Sequence, residues 1–459
     1  MAKHTTPGIY TQDHSNFPPS IVPVETAIPV FIGYTEKARL EEDGDLLNVP
    51  KRVTSIKEYI QHFGTAYPEK GITIHVDSQK SPEEISSKIT NPSNYLMFYS
   101  LQAFYLNGGG SCYIVSVGDY KEEGIINQEA LLNGLEKAGD EGEITLIIFP
   151  DAINLTLSAD YYSIIKQALN QCSHLKDRFT ICDVYMHNNS NINDIDVFRN
   201  TLAGSVNELK YGAAYYPYLE MQLNYFYEDK DITVNKNGII TTLDTFEIDD
   251  NPLFHKLKDS INTLPVILPP SSALAGVYTK VDNNRGVWKA PANINIDFIT
   301  KPSLNITNQD QETLNVDILS GKSINAIRTF SGRGTAVVWG ARTLAGNNHE
   351  WRYISTRRFF NMVEESVRKA TYQFVFEPNK MNTWIKIKSM INNFLTLQWR
   401  SGALSGAKPE EAFFIKIGMG ETMTENDILE NKLIVEIGMA IVRPAEFIVL
   451  KFMQNMQEN

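Results

Sequence analysis

Uninterrupted apolar runs, helical stripes and strict alternation follow one another along the chain, and each texture predicts a different element. Val30-Phe31-Ile32-Gly33 and residues 144–149 are continuous apolar runs, as expected of strands covered on both faces. Residues 158–172 place Tyr161, Ile164, Ile165, Ala168 and Leu169 at helical spacing, and 179–185 reads as the next strand. Strand, helix and strand in that order predict a parallel pair with a right-handed crossover. A short helix is predicted over 55–63 with Gly64 as its stop, and a buried helix over 94–106 broken by Gly108-Gly109-Gly110. A strand follows over 112–117, and 211–227 is Tyr-rich and strand-like. Residues 228–262 read as an insertion, with Asn235-Lys236-Asn237-Gly238 turning a hairpin between 232–234 and 239–240.

The last third changes texture. Residues 355–374 carry a stripe of Phe359, Phe360, Val363, Val367, Ala370 and Phe374. Pro378 is expected to open a second helix, with Met381, Trp384, Ile387, Ile391, Phe394 and Leu395 facing inward and Gly402 ending it. From 432 the period becomes two, with Leu433, Val435, Ile437, Met439 and Ile441 on one face. After Pro444 a second alternating run sets Phe447 and Val449 against Ile448, Leu450 and Phe452. At the other end, residues 1–20 contain Pro7, Gly8, Pro18 and Pro19, with only Ile9, Tyr10 and Phe17 as large apolar groups. Such a segment cannot bury itself. Unpaired strand text at a chain end invites pairing with another chain, so both ends read as linking arms.

Composition narrows the class. With 459 residues, about three domains are expected. The chain is 42% hydrophobic and 21% charged, enough for a sizeable core. Its 42 Lys+Arg against 54 Asp+Glu give a net charge of -12, which disfavours a dedicated nucleic-acid binder. Cys112, Cys172 and Cys182 form no CxxC pair, so neither a disulfide scaffold nor a structural zinc site is expected. The opening Met1-Ala2-Lys3-His4 has no signal-peptide pattern and no long apolar run follows, so cytoplasmic synthesis without membrane insertion is expected.

Candidate chemistry is sparse. Gly321-Lys322-Ser323 resembles the end of a phosphate loop but has Val316 where that loop needs glycine. Gly332-Arg333-Gly334 runs into strand text rather than a helix, which fits a tight turn. The eight histidines form neither HExxH nor an i, i+4 pair, and GxSxG is absent. The most serious enzyme candidates are Asp151 and Asp183 at the C-terminal ends of two strands, where a metal-assisted hydrolase or phosphotransferase would place its carboxylates. The bland alternative is two acids that cap turns or helices. Arg357-Arg358 and Lys386/Lys388 read as a solvated helix face or as an interface to an acidic partner. No cofactor is expected.

Several long blocks, in order, carry a resemblance. Leu268-Pro269-Pro270-Ser271, Ala275-Gly276-Val277-Tyr278, Asp282, and Arg285-Gly286-Val287-Trp288-Lys289-Ala290-Pro291-Ala292-Asn293 lead into Ile324-Asn325-Ala326-Ile327-Arg328. Then come Gly332-Arg333-Gly334-Thr335-Ala336-Val337-Val338-Trp339-Gly340-Ala341-Arg342-Thr343-Leu344, Glu350-Trp351-Arg352-Tyr353-Ile354, Arg357-Arg358, Phe376-Glu377-Pro378-Asn379 and Pro444-Ala445-Glu446-Phe447. Thr6-Pro7-Gly8-Ile9-Tyr10 and Tyr215-Tyr216-Pro217 extend the match forward. The chain resembles the contractile tail sheath proteins of phages and phage-like injection systems.

That resemblance implies an α/β (α+β overall), multidomain tail-sheath fold: an N-terminal arm at 1–20, an outer α/β domain at 21–323, an inner C-terminal domain at 324–432 and a C-terminal strand arm at 433–459. It implies a structural subunit, not an enzyme, in a homo-oligomeric helical sheath around an inner tube protein, with baseplate and terminal cap proteins as partners. Neither nucleic acid nor membrane insertion is implied. Assembly would be cytoplasmic, into a phage tail or a particle released outside the cell. Ile9, Tyr10, Leu433, Val435, Ile437, Met439, Ile441, Phe447 and Val449 would link subunits, and Lys380, Lys386 and Lys388 would face the tube. Two other readings stay open: the hydrolase on Asp151 and Asp183, and a monomeric binding module with disordered arms.

Overall fold

A computed structural model describes residues 20–78, 84–121, 124–186 and 193–447. The described residues fold as two compact units: 25–364 with 443–447, and 20–24 with 365–442.

The larger unit is built on a nine-stranded sheet. Its central strands run in the order Ile324–Phe330, Gly212–Tyr216, Phe179–Asp183, Leu146–Ile148, Pro29–Thr35 and Cys112–Asp119, each parallel to the next. Lys51–Val53 closes one edge antiparallel, and Gly334–Trp339 with Ile294–Asn295 extends the other. The apolar runs are explained by this position. Phe31 packs into one layer while Val30 and Ile32 pack into the opposite one, and Ile148 and Ile147 divide in the same way. Helices Met97–Leu106 and Ser271–Arg285 supply the first layer, and helices Gln128–Gly139 and Ser158–Leu175 the second. The expected parallel pair across 144–187 is present, with Leu146 opposite Phe179. The expected helix at 55–63 spans Ile56–Phe63, and Gly64 ends it at a φ of 84°.

The 228–262 stretch is woven into a second sheet. Thr233–Lys236 and Ile239–Thr242 form the expected hairpin, turned by Asn237 and Gly238 in positive φ. Thr233–Lys236 also pairs in parallel with Ile72–Asp77, which pairs with Glu84–Ile89.

In the smaller unit, helix Met381–Arg400 buries Thr383, Ile387, Met390, Ile391, Phe394, Leu395 and Gln398. Two sequence expectations are corrected here. Pro378 precedes the helix rather than opening it: its carbonyl accepts from Lys380 N and Thr383 Oγ1, and Lys380 takes the cap position. Met381 was expected on the inner stripe but is 66% exposed, because the buried face runs through Thr383 and Met390. Strands Phe413–Lys416 and Glu436–Met439 form a two-stranded antiparallel sheet beside this helix.

The compact units also divide elsewhere than at the expected 323/324 and 432/433. Strands Ile324–Phe330 and Gly334–Trp339 are covalently close to the C-terminal helices, yet Ile324 is registered against Ala214 in the large sheet. Pairing with a remote strand therefore places 324–364 in the larger unit.

Candidate functional site

Asp151 and Asp183 stand at strand ends as expected, but the structure gives them capping roles. Asp151 is fully buried. Its Oδ1 accepts from the backbone N–H of Leu96 (2.6 Å) and Met97 (3.2 Å), and its Oδ2 from that of Tyr34 (2.6 Å). It thus holds the start of helix Met97–Leu106 against the end of strand Pro29–Thr35. Gly33 makes room for this carboxylate: a methyl there would overlap Asp151 Oδ2 and reach within 2.9 Å of Met97 Cε. Asp183 Oδ1 accepts from the Ser271 N–H (2.8 Å) at the start of helix Ser271–Arg285, and is 3% exposed. No group of three His, Cys, Asp or Glu side chains that could hold a metal ion occurs among the described residues.

Burial pushes both carboxyls up to about 7, against the pull of their N–H donors. Each therefore takes up protons more readily folded than unfolded. The associated stability is complete below the ordinary value of 3.8 and is lost as pH rises through about 7. One such group contributes a decline of up to about 4 kcal/mol over that window. Urea unfolding of the wild type and Asp183→Asn at pH 5 and 7.5 checks this. The decline should be shallower in the variant, and equal declines would rule out Asp183 as a source.

The two ends of the described chain are each anchored by charge. Asp282 and Arg358 form a buried bidentate pair, with Arg358 Nη1 donating to Oδ1 (3.0 Å) and Nη2 to Oδ2 (2.5 Å). Arg358 Nη2 also donates to the Thr26 carbonyl (2.8 Å), and Thr26 Oγ1 donates to Asp282 Oδ2 (2.6 Å). The guanidinium lies 4.7 Å from the Tyr278 ring centre. Near the other end, Glu446 receives Arg342 Nε (2.9 Å) and Nη2 (2.6 Å), Asn315 Nδ2 (2.9 Å) and the Tyr353 hydroxyl (3.2 Å). These donors hold its carboxyl below the usual range although burial opposes them. Arg357-Arg358 is accordingly no solvated face. Both guanidiniums are buried, and Arg357 lies over Trp351 and Tyr211 at 4.5 and 4.8 Å. A charged pair inside aromatic text could have signalled this, since stacking and a carboxylate partner are what let arginine leave water.

Leu433, Val435, Ile437, Met439 and Ile441 are all half-buried, and most of the residues between them are exposed, so the period-two reading matches the packing. Part of this stretch is occupied within its own chain: Ile437 faces Ile415, Met439 faces Phe413, and Ile441 bridges to Leu404. The stretch expected as a single arm is divided, 433–442 lying in the smaller unit and 443–447 in the larger. Phe447 is 72% exposed. Ile9, Tyr10 and Val449 lie outside the described residues.

Lys380, Lys386 and Lys388 are all exposed. Lys386 and Lys388 are two residues apart on a helix, so they flank its outer face rather than share one stripe. Tyr372, Val375, Phe376, Met381 and Ile385 are exposed in the same unit, and Phe376 holds a φ of 68°. Sequence reasoning had no means to see this apolar surface, because amphipathic spacing alone does not distinguish a covered side from an uncovered one.

Residues 347–455 match the family model described as the phage tail sheath C-terminal domain. The tail sheath protein of Burkholderia phage BcepMu is 26% identical over 158 residues, 33% of this chain and 32% of that protein. The tail sheath protein of Vibrio phage KVP40 is 24% identical over 186 residues, 40% of this chain and 26% of that protein. These matches thus span a third or less of the curated relatives. Solved structures match far more fully. A chain of the anti-feeding prophage helical sheath in its contracted state is 31% identical, with a TM-score of 0.67 over 98% of this chain and 100% of that one. A chain of the contracted sheath complex of PVC, an extracellular contractile injection system, is 26% identical, with a TM-score of 0.65 over 99% of both. The chain belongs to the contractile tail sheath family. Its members are structural proteins rather than enzymes, in keeping with the capping roles of Asp151 and Asp183.

Proposed function

We propose that this chain is the repeating subunit of a contractile sheath, joined to its neighbours by strand exchange. The observation that carries the reading is the two-stranded sheet Phe413–Lys416/Glu436–Met439: each strand has one partner among the described residues, leaving an unpaired backbone edge on either side. Such an edge takes an added strand readily. Residues 1–19 and 448–459 are the segments proposed to add to neighbouring copies, through Ile9, Tyr10 and Val449, with Phe447 at the root of the second. With roughly 0.5–1.5 kcal/mol per net hydrogen bond, a few such bonds and an apolar face make a strong junction when repeated along a helix. The larger unit, 25–364, is read as the outer part that slides between two lattices, and 365–442 as the inner part.

The sheath would assemble in the cytoplasm on a baseplate, around an inner tube and below a terminal cap, as part of a phage tail or an exported particle. Contraction would then drive the tube through a target membrane. The free energy would come from extra outer surface buried in the shortened lattice, without a nucleotide. No helix among the described residues is long and apolar enough to cross a membrane.

Negative-stain electron microscopy of the purified chain, with and without the tube protein, tests the polymer. Ridged hollow tubes are expected from the full chain, and dispersed subunits from a chain lacking residues 1–19. Normal sheath from the truncated chain would sink the linkage reading. Lys380, Lys386 and Lys388 are proposed as tube contacts. Their joint replacement by glutamate should reduce sheath formation on the tube in a salt-sensitive way, and unaltered assembly would remove them from that interface.

A further inference from the structure

A turn in the larger unit displays apolar side chains outward from a frame fixed on all sides. Ile318 is 88% exposed and Leu319 96%, and the adjoining Val316 is 42% exposed. The turn beneath them is pinned. Asp317 Oδ2 accepts from Ser320 N (2.6 Å), while its carbonyl accepts from Gly321 N (3.1 Å) and Asn347 Nδ2 (2.8 Å). Gly321 closes the turn at a φ of 71°. Just before it, the Asn315 carbonyl accepts from Ser323 Oγ (2.6 Å), and Asn315 Nδ2 donates to Glu446 Oε1. The clamp on Glu446 therefore brings the C-terminal end of the described chain to this turn, with Phe447 exposed beside it. Isolated exposed aliphatic groups need no explanation, but several on one pinned turn beside an exposed phenylalanine make a surface that favours a cover.

The chain itself supplies a cover that starts at this place. Twelve residues follow Phe447, beginning Ile448-Val449-Leu450-Lys451-Phe452-Met453. Five extended residues reach about 17 Å, and a segment tethered at the edge of a site meets it at an effective concentration on the order of millimolar.

We propose that, in the free subunit, residues 448–452 lie across Val316, Ile318 and Leu319 of their own chain, and that this turn holds the C-terminal arm until a neighbour takes it. The turn is thus a holding site that keeps an apolar arm out of premature contacts. The inference rests on the reading of 448–459 as a linking arm.

The test is site-specific photocrosslinking of the full chain carrying Leu319→p-benzoylphenylalanine, irradiated while dilute and monodisperse. The side chain at 319 is almost wholly in solvent, so the substitution should leave folding intact. A crosslink within one chain is expected, mapped by peptide mass spectrometry to residues 448–453. It should fade when the subunits are first assembled into sheath. No crosslink, a crosslink to another segment, or one formed only between chains would overturn the holding site. A chain ending at Phe447 separates the two readings. Failure of that chain to assemble, with no crosslink in the full chain, leaves the linking arm standing and removes the holding site. Normal assembly of that chain removes the linking arm, and with it the holding role, even where the crosslink is present.

Discussion

Replacing Asp151 by alanine is expected to lower the unfolding free energy by about 3–5 kcal/mol, one of the largest effects available from a single side chain here. The residue is fully buried and its two oxygens hold the N–H groups of Tyr34, Leu96 and Met97. Alanine leaves all three donors without an acceptor, and an orphaned buried donor costs about 1–3 kcal/mol. The vacated space lies between strand Pro29–Thr35 and helix Met97–Leu106, where Gly33 leaves no side chain to fill it. Asp151→Asn should be milder. Its carbonyl can serve Leu96 and Met97, but its amide would face the Tyr34 N–H, donor against donor. Chemical unfolding of the two variants at one pH checks the order. A loss below about 1 kcal/mol in Asp151→Ala would mean that the carboxylate does not organise this junction.

That role bears on what the sequence could reveal. The position of Asp151 at a strand end was legible, because the apolar run at 144–149 stops abruptly. The identity of its partners was not, since they come from two other elements that only the sheet order brings together. The central parallel strands were legible for the opposite reason: burial on both faces writes itself into a continuous apolar run, whatever the neighbours. Strand Phe413–Lys416 was missed because four residues between Pro409 and Gly418 carry too little pattern to read. Its absence from the reading made 433–441 look wholly unpaired, when part of it has a partner in its own chain. Arg358 and Glu446 stood inside recognised motifs, yet a motif names residues without saying whom they bind. Only geometry turns Arg358 from a surface charge into the partner of Asp282.

For that pair, the expected result depends on how it is broken. Asp282→Ala strands the Arg358 guanidinium where the side chains are 3% and 4% exposed, and should cost about 3–5 kcal/mol. Replacing both, as Asp282→Leu with Arg358→Met, removes the desolvated charges together and should recover most of that loss. The double variant cannot, however, restore what the pair does for Thr26, whose carbonyl and hydroxyl both lose their partners. Stability and local order should then separate. Glu25 is exposed beside Thr26, so a glutamate-specific protease reports on this segment directly. The double variant is expected to unfold near the wild-type midpoint yet to be cut faster after Glu25. Wild-type cleavage in that variant would mean that Thr26 is held by something other than the buried pair. A stable Asp282→Ala would mean that the pair is not desolvated at all. If the N-terminal segment links neighbours as proposed, a loosened root should also weaken assembly while the subunit stays folded. This would distinguish a mechanical anchor from a contribution to the core alone.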